Sequence, residues 1–259
     1  MSIAMKDMTT LGIGGDARRL TVATTMDGLI GCPDALILGG GSNVLVSDGG
    51  YDGHVVVNRY SSLVRSGNII VAGSGTRLPA LSGFAAQEGL DGLEWLSGIP
   101  GTVGGAVVMN AGAFGKSISD VLLYADVFCG GTVRRLGIDE LGLSYRSSLV
   151  KGTVVEAAFI TSPQDTSVIR KKMSDYKARR AAAQPTERSA GSVFKNPEGM
   201  SIARLIDGAG LKGYRVGGAA VSTKHANFIV NLCGATAKDV CAVINKVKTT
   251  LLGYGVEAH

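Results

Sequence analysis

Leu93-Glu94-Trp95-Leu96-Ser97-Gly98-Ile99-Pro100-Gly101-Thr102-Val103-Gly104-Gly105-Ala106, running on to Met109-Asn110-Ala111-Gly112-Ala113-Phe114-Gly115, is the stretch around which the rest of the sequence arranges itself. Glycines spaced by small residues and one proline leave little side chain between the backbone and whatever it touches, so a ligand can press on bare peptide groups. Upstream, Leu36-Ile37-Leu38 runs into Gly39-Gly40-Gly41-Ser42-Asn43 and then Val44-Leu45-Val46, which predicts a strand, a tight glycine turn and a second strand. Consecutive N–H groups in such a turn form a concave anion site suited to a pyrophosphate. A glycine-rich stretch alone is more often only a turn. Two in one chain predict a single extended cofactor.

The composition sets the frame. A chain of 259 residues with 45% hydrophobic content can bury a normal core in two or three compact units. Its 38 glycines are about twice the usual ~7%, so backbone contacts and tight turns matter unusually much. The net charge of +5 is modest, and no basic run interleaved with aromatics tracks a nucleic-acid backbone. That balance suits a small polyanionic ligand focused into a cleft, and equally suits plain solubility. Cys32, Cys129, Cys233 and Cys241 form no C-x-x-C pair and no recurring spacing with histidines, which predicts reduced, mostly buried thiols and no metal site. No apolar run is long enough for a membrane span and the N-terminus lacks the layout of a signal peptide, so a cytoplasmic protein without membrane or nucleic-acid partners is expected.

Read in order, residues 1 to about 20 are too glycine-rich for a helix and predict an extended segment with a turn. Short β-prone runs come next at Ala35 to Leu38, Val44 to Val46, His54 to Asn58 and Ile69 to Ala72. Thr76 is a candidate cap for a helix with Leu78, Leu81, Phe84 and Ala85 on one face and Gly89 past its end. Beyond the central loop, Val121 to Phe128, Val133 to Leu136 and Val154 to Ile160 predict a second sheet. Strands clustered with few helices between them argue for an α+β fold rather than regular βαβ alternation, and no Gly-x-Gly-x-x-Gly sits between a strand and a helix. Ser162-Pro163-Gln164-Asp165 marks a composition shift, giving domains 1–161, subdivided near residue 60, and 162–259. In the second, Thr166 to Ala183 reads as a basic helix with Val168, Ile169, Met173 and Tyr176 on one side. Ser201 opens a short helix, and Thr236 with Asp239 starts a last one carrying Val240, Val243, Ile244, Val247 and Leu251.

Ile37 to Ser47 and Gly98 to Gly112 resemble the FAD-binding segments of the UDP-N-acetylenolpyruvoylglucosamine reductase (UDP-N-acetylmuramate dehydrogenase) family. Four more segments match: Thr10 to Gly15, Ser144-Tyr145-Arg146-Ser147-Ser148, Ser189-Ala190-Gly191-Ser192-Val193-Phe194-Lys195-Asn196-Pro197, and Leu211 to Asn231. They occur in the family's order and span nearly the whole chain. The resemblance implies a two-subdomain FAD-binding fold of the vanillyl-alcohol-oxidase type followed by an α+β substrate-binding domain. It also implies an FAD enzyme that uses NADPH to reduce UDP-N-acetylglucosamine enolpyruvate to UDP-N-acetylmuramate for peptidoglycan precursors. No long insertion supplies a tyrosine-bearing lid, as in the family's shorter variant, and a monomer is expected.

By the same resemblance FAD is expected at Gly39, Gly40, Gly41, Ser42, Asn43, Gly98, Ile99, Pro100, Gly101, Thr102, Gly104, Gly105, Asn110, Ala111 and Gly112. Read alone, Arg146 is a solvated surface charge and Ser192 a turn residue, since no histidine stands beside it to activate a nucleophile. The resemblance implies instead that Arg146 stabilises the anion formed when hydride adds to the enolpyruvyl β-carbon, and that Ser192 protonates the α-carbon. Tyr145, Lys195 and Asn196 are the implied substrate-binding residues, with Arg179, Arg180, Arg188, Arg215 and Lys224 as candidate cations for the diphosphate. The family's catalytic glutamate would fall just past His259; truncation, replacement by Glu257 or loss of that step all fit, and Glu257 is left out of the catalytic set. Two other readings stay open, another FAD-dependent oxidase or dehydrogenase of this fold and a non-catalytic flavin-binding protein.

Overall fold

The structure is a computed structural model describing residues 4–259. The first residues of the predicted extended N-terminal segment lie outside that range. By contacts the chain divides into two units. The first comprises the N-terminal segment through Arg19, Gly41–Gly53 and Ala181–His259, and the second comprises Leu20–Gly40 and His54–Arg180.

The second unit carries the sheets predicted from the β-prone runs. A five-stranded antiparallel sheet runs in the order Thr132–Gly137, Leu122–Cys129, Thr153–Ile160, Ile69–Gly73 and Leu63–Ser66. Its inward residues Ile70, Ala72, Ala125, Val127, Ala157 and Phe159 pack with Leu78, Leu81 and Ala85 of the helix Leu78–Gln87, and with Trp95 and Leu96, all almost wholly buried. Arg77 is that helix's N-cap and lends no side-chain bond, while the Thr76 hydroxyl donates to the Ser62 carbonyl, so Thr76 is not the predicted cap. Within the core the Glu94 carboxylate, 2% exposed, accepts from the Gly92 N–H and pairs with Lys116 at 3.1 Å. A buried charge left without such partners would be costly.

The predicted strand, tight glycine turn and second strand are corrected by the structure. Leu36–Leu38 pairs with Val55–Val57 in parallel, and Val44 to Val46 is not a strand. A parallel pair cannot be closed by a tight turn, so the residues after Leu38 must travel as a crossover. Residues 103–108 are a second correction, because the glycine-rich loop contains the helix Val103–Val108, with Val103, Gly104, Ala106 and Val107 buried. The basic helix is observed at Thr166–Ala183, but only Ile169 of its apolar set is fully buried and Val168 is exposed. The thiols are free as predicted, yet Cys129, Cys233 and Cys241 are exposed rather than buried.

The first unit has its own core. The sheet Arg188–Ser192, Phe228–Asn231, Ala219–Val221 and Arg215–Val216 packs the helices Ile202–Gly208 and Ala237–Leu252 through Ile202, Ile206, Val221, Ile229, Val240, Val243, Val247 and Leu251. The last helix starts on the predicted Thr236 and Asp239 capping box. Asp48 adds a second acidic cap by accepting from the Ala237 and Lys238 N–H groups, a placement favourable at the positive end of a helix.

Candidate active site

In the second unit the two glycine stretches meet. A β-carbon at Gly39 would collide with the Thr102 hydroxyl, and one at Gly40 would lie 2.8 Å from the Gly101 Cα and 3.1 Å from Arg77 Nη1. Gly101 itself has φ 140°, which suits only glycine. Backbone therefore meets backbone here, held by Leu78 N–H donating to the Gly101 carbonyl and Val103 N–H to that of Thr76. Thr102 is 1% exposed and its Oγ1 has no hydrogen-bond partner among the described residues. A buried hydroxyl without a partner is rare enough to need an explanation, and a ligand that bonds it supplies one. Gly104 is glycine for a different reason: its N–H donates to the Ser74 carbonyl, and a β-carbon would press on Ser74 at 3.0 Å. Gly105 is exposed, and Gly98 faces the stem of Arg180, 3.0 Å from a β-carbon built there. Ile99 packs on the core and Ala111 is tied by its N–H to the Ala106 carbonyl.

Arg146 is held by the far end of the same loop. Its Nη2 donates to the Gly112 carbonyl at 2.6 Å and its Nη1 to that of Asn110 at 3.4 Å, and no carboxylate lies within ion-pair distance among the described residues. The turn presenting it is closed both ways between Ser144 and Ser147. Asn110 Nδ2 donates to the Ser144 carbonyl at 3.0 Å, and its Oδ1 accepts from the Ser119 N–H. Arg146 at φ 55° and Asn110 at φ 38° both sit in the left-handed region, where a non-glycine residue costs roughly 1–3 kcal/mol and is found where surroundings demand it. Tyr145 is half exposed, with the Arg146 guanidinium 5.1 Å from its ring. Arg179 stacks over Phe114, itself 4.8 Å from Tyr176. Arg180 is half buried without a carboxylate partner among the described residues, and that burial lowers its pKa.

In the first unit, Gly41 at φ 63° has no room for a side chain beside the Met8 carbonyl, and its own carbonyl accepts from the Thr10 N–H. The Thr10 hydroxyl in turn donates to the Ser189 carbonyl at 2.7 Å. Ser42 is half buried and Asn43 exposed. Ser192 ends its strand just after a register shift, behind Gly191 at φ 80°. Its hydroxyl is exposed and has no partner among the described residues. The backbone beyond Ser192 is clamped by Asn227, which lies within the matched segment Leu211 to Asn231 but is not among the expected site residues. Its side chain accepts from the Phe194 N–H and donates to the Phe194 carbonyl, both at 2.9 Å, while its own carbonyl takes the Val193 N–H. Asn196 Oδ1 accepts from the Ile202 N–H and caps that helix. Lys195 is exposed, its N–H bonded to the His259 carbonyl. Lys224 Nζ donates to the Ala181 carbonyl and Arg215 Nε to that of Gly217, so these two cations are partly engaged, and Arg188 packs beside Gly12. Glu257 is exposed, 3.7 Å from His259 Nε2. Arg146 and Ser192 thus belong to different units, each fixed by its own.

On this α+β frame the glycine contact and the orphan buried hydroxyl define a cofactor-binding protein. Residues 34–137 match the family described as FAD binding domain, and residues 184–254 match that described as UDP-N-acetylenolpyruvoylglucosamine reductase, C-terminal domain. UDP-N-acetylenolpyruvoylglucosamine reductase from Rubrobacter xylanophilus is 44% identical over 89% of this chain and 80% of its own. That from Geobacillus kaustophilus is 43% identical over 95% and 86%. The crystal structure of the Thermus caldophilus UDP-N-acetylenolpyruvylglucosamine reductase superimposes with a TM-score of 0.88 at 40% identity, covering 96% of this chain and 94% of that one. The chain belongs to the UDP-N-acetylenolpyruvoylglucosamine reductase family. Its cofactor is FAD, which the bare backbone at Gly39, Gly40 and Gly101 and the unpartnered Thr102 hydroxyl fit. Among the described residues no helix is long and apolar enough to cross a membrane.

Proposed function

We propose that this protein reduces the enolpyruvyl ether of UDP-N-acetylglucosamine to UDP-N-acetylmuramate, a step of peptidoglycan precursor synthesis, with NADPH as the source of electrons. Bound FAD supplies the hydride that adds to the enolpyruvyl β-carbon. The observation that carries this reading is Arg146, a guanidinium held by two carbonyls of the glycine-rich loop and paired with no carboxylate among the described residues. Addition of hydride to the β-carbon leaves a carbanion at the α-carbon, delocalised into the adjacent carboxylate. A fixed planar fork of donors stabilises that growing charge. The Ser192 hydroxyl then gives its proton to the α-carbon, completing the saturated lactyl ether. Tyr145, Lys195 and Asn196 are assigned to the substrate. Residues 1–161 serve as the FAD-binding domain, residues 162–259 as the substrate-binding domain, and the enzyme works as a soluble monomer.

Anaerobic mixing tests this directly. The purified yellow protein should bleach with NADPH and regain its flavin absorbance when the UDP-sugar enolpyruvyl ether is added. Bleaching without recovery would point to another oxidoreductase of this fold, and a protein that NADPH does not bleach would defeat the proposal.

A further inference from the structure

The glycine turn at Gly39 and Gly40 is flanked by two arginines that neither the family resemblance nor the assigned chemistry uses. Arg59, half buried after the strand Tyr51–Asn58, points Nη1 at the Gly39 carbonyl at 3.5 Å. Arg77, the N-cap of Leu78–Gln87, places Nη1 3.1 Å from where a Gly40 β-carbon would stand. Both backbones are pinned. The Arg59 N–H donates to the Ala23 carbonyl at 2.8 Å, and Arg77 is bridged to Thr102. Neither guanidinium has a carboxylate within ion-pair distance among the described residues, although Asp and Glu pair with other cations of this unit, such as Lys116, Arg135 and Lys172. The two charges feel each other: burial, and then the charge of Arg77, pull the Arg59 pKa down.

Two like charges around one turn oppose each other, and holding them there unpaired costs energy that an arriving anion offsets. The Thr102 hydroxyl, buried and unpartnered among the described residues, lies against the same turn, where a β-carbon at Gly39 would strike it. We infer that Arg59, Arg77 and the Thr102 hydroxyl form the binding site for the diphosphate of FAD, so that this chain holds its cofactor by side-chain charge as well as by backbone N–H groups. This rests on FAD being the cofactor. A guanidinium fork suits two phosphate oxygens, and hydrogen bonds to charged groups are worth enough to shift affinity about tenfold or more each.

Flavin fluorescence titrations of the apoprotein separate this from other roles, using FAD, with its diphosphate, and riboflavin, without it. The variants are Arg59→Gln, Arg77→Gln and Arg77→Lys. Each glutamine variant should raise the FAD Kd about tenfold or more, leave the riboflavin Kd within about twofold, and flatten the dependence of log Kd on log salt, because fewer fixed cations neutralise the phosphates. Arg77→Lys should keep most of the affinity. Three results overturn the inference: glutamine variants that bind FAD as the parent does, a loss shared equally by riboflavin, or a loss that falls on UDP-sugar binding by the FAD-loaded enzyme instead. Failure of the parent protein to bind FAD at all would overturn the cofactor assignment itself, and shows before any variant is made.

Discussion

At the scale of single residues, the assignments to Arg146 and Ser192 divide the reaction in a way that kinetics can read. Arg146→Lys keeps a positive charge but loses the planar fork that spans the Asn110 and Gly112 carbonyls. Flavin reduction by NADPH should therefore stay within a few-fold of the parent, while reoxidation by the enolpyruvyl substrate falls by far more; equal losses would make Arg146 a folding or cofactor residue. Ser192→Ala removes only a proton donor, so it too should spare flavin reduction. A positioned general acid contributes roughly a hundred- to ten-thousand-fold in rate, whereas an exposed serine without a role changes stability by about ±0.5 kcal/mol and turnover hardly at all. Stopped-flow reoxidation of the pre-reduced Ser192→Ala protein within a few-fold of the parent rate would remove Ser192 from the mechanism. Neither proposed role is legible from the residues alone. An arginine in a loop and a serine without a histidine read as surface residues, and only their motifs singled them out. The left-handed backbone at Arg146 and the register shift before Ser192 are tertiary facts, because nothing in Tyr-Arg or Gly-Ser demands them.

At the scale of elements, the runs with a clear period came through and those whose pairing depends on distant partners did not. The sheet strands at Leu122–Cys129 and Thr153–Ile160 and the capping box of Ala237–Leu252 arise from local pattern. The crossover after Leu38 could not, since a glycine turn between two β-prone runs looks like a hairpin until the partner strand Tyr51–Asn58 is known to run parallel. Likewise, the intrinsic cost of Gly104 and Gly105 in a helix is overridden by burial of Val103, Ala106 and Val107 and by the close approach to Ser74. The loop between Ala219–Val221 and Phe228–Asn231 yields a prediction of its own. His225 stacks edge-on to Phe228, its Nδ1 accepts from the Asn227 N–H, and burial followed by the charge of Lys212 lowers its pKa below the ordinary 6.5. The folded state thus favours neutral histidine. Its contribution to stability is complete above the unfolded pKa and is lost as the pH falls below 6.5 and through the lower folded value. Thermal melts across that window should show the parent losing more stability on acidification than His225→Gln, and parallel curves for the two proteins would sink the idea.

At the scale of the whole molecule, each unit has a core of its own, and the only tryptophan, Trp95, lies fully buried in the same core as Val103, Ala106 and Val107 of the helix that follows Gly101. Its fluorescence therefore reports the unit that holds Gly39, Gly40, Arg59, Arg77 and Arg146. A ligand that binds only the folded protein stabilises it by mass action, about 2.7 kcal/mol when present at a hundred times its Kd. In a protein of this size that should raise the melting temperature by roughly 5–11 °C, since 1 kcal/mol shifts it by roughly 2–4 °C. Melting the apoprotein under Trp95 fluorescence with increasing FAD should show a transition that climbs with the logarithm of FAD concentration. Riboflavin at the same multiple of its own Kd should give the same shift, because linkage depends on occupancy and not on which contacts provide it. At equal concentrations, by contrast, FAD should outpace riboflavin in the parent and lose much of that lead in Arg77→Gln. A Trp95 transition that FAD leaves in place, while the apoprotein still binds the flavin by titration, would mean that the cofactor does not act through the unit built around Trp95.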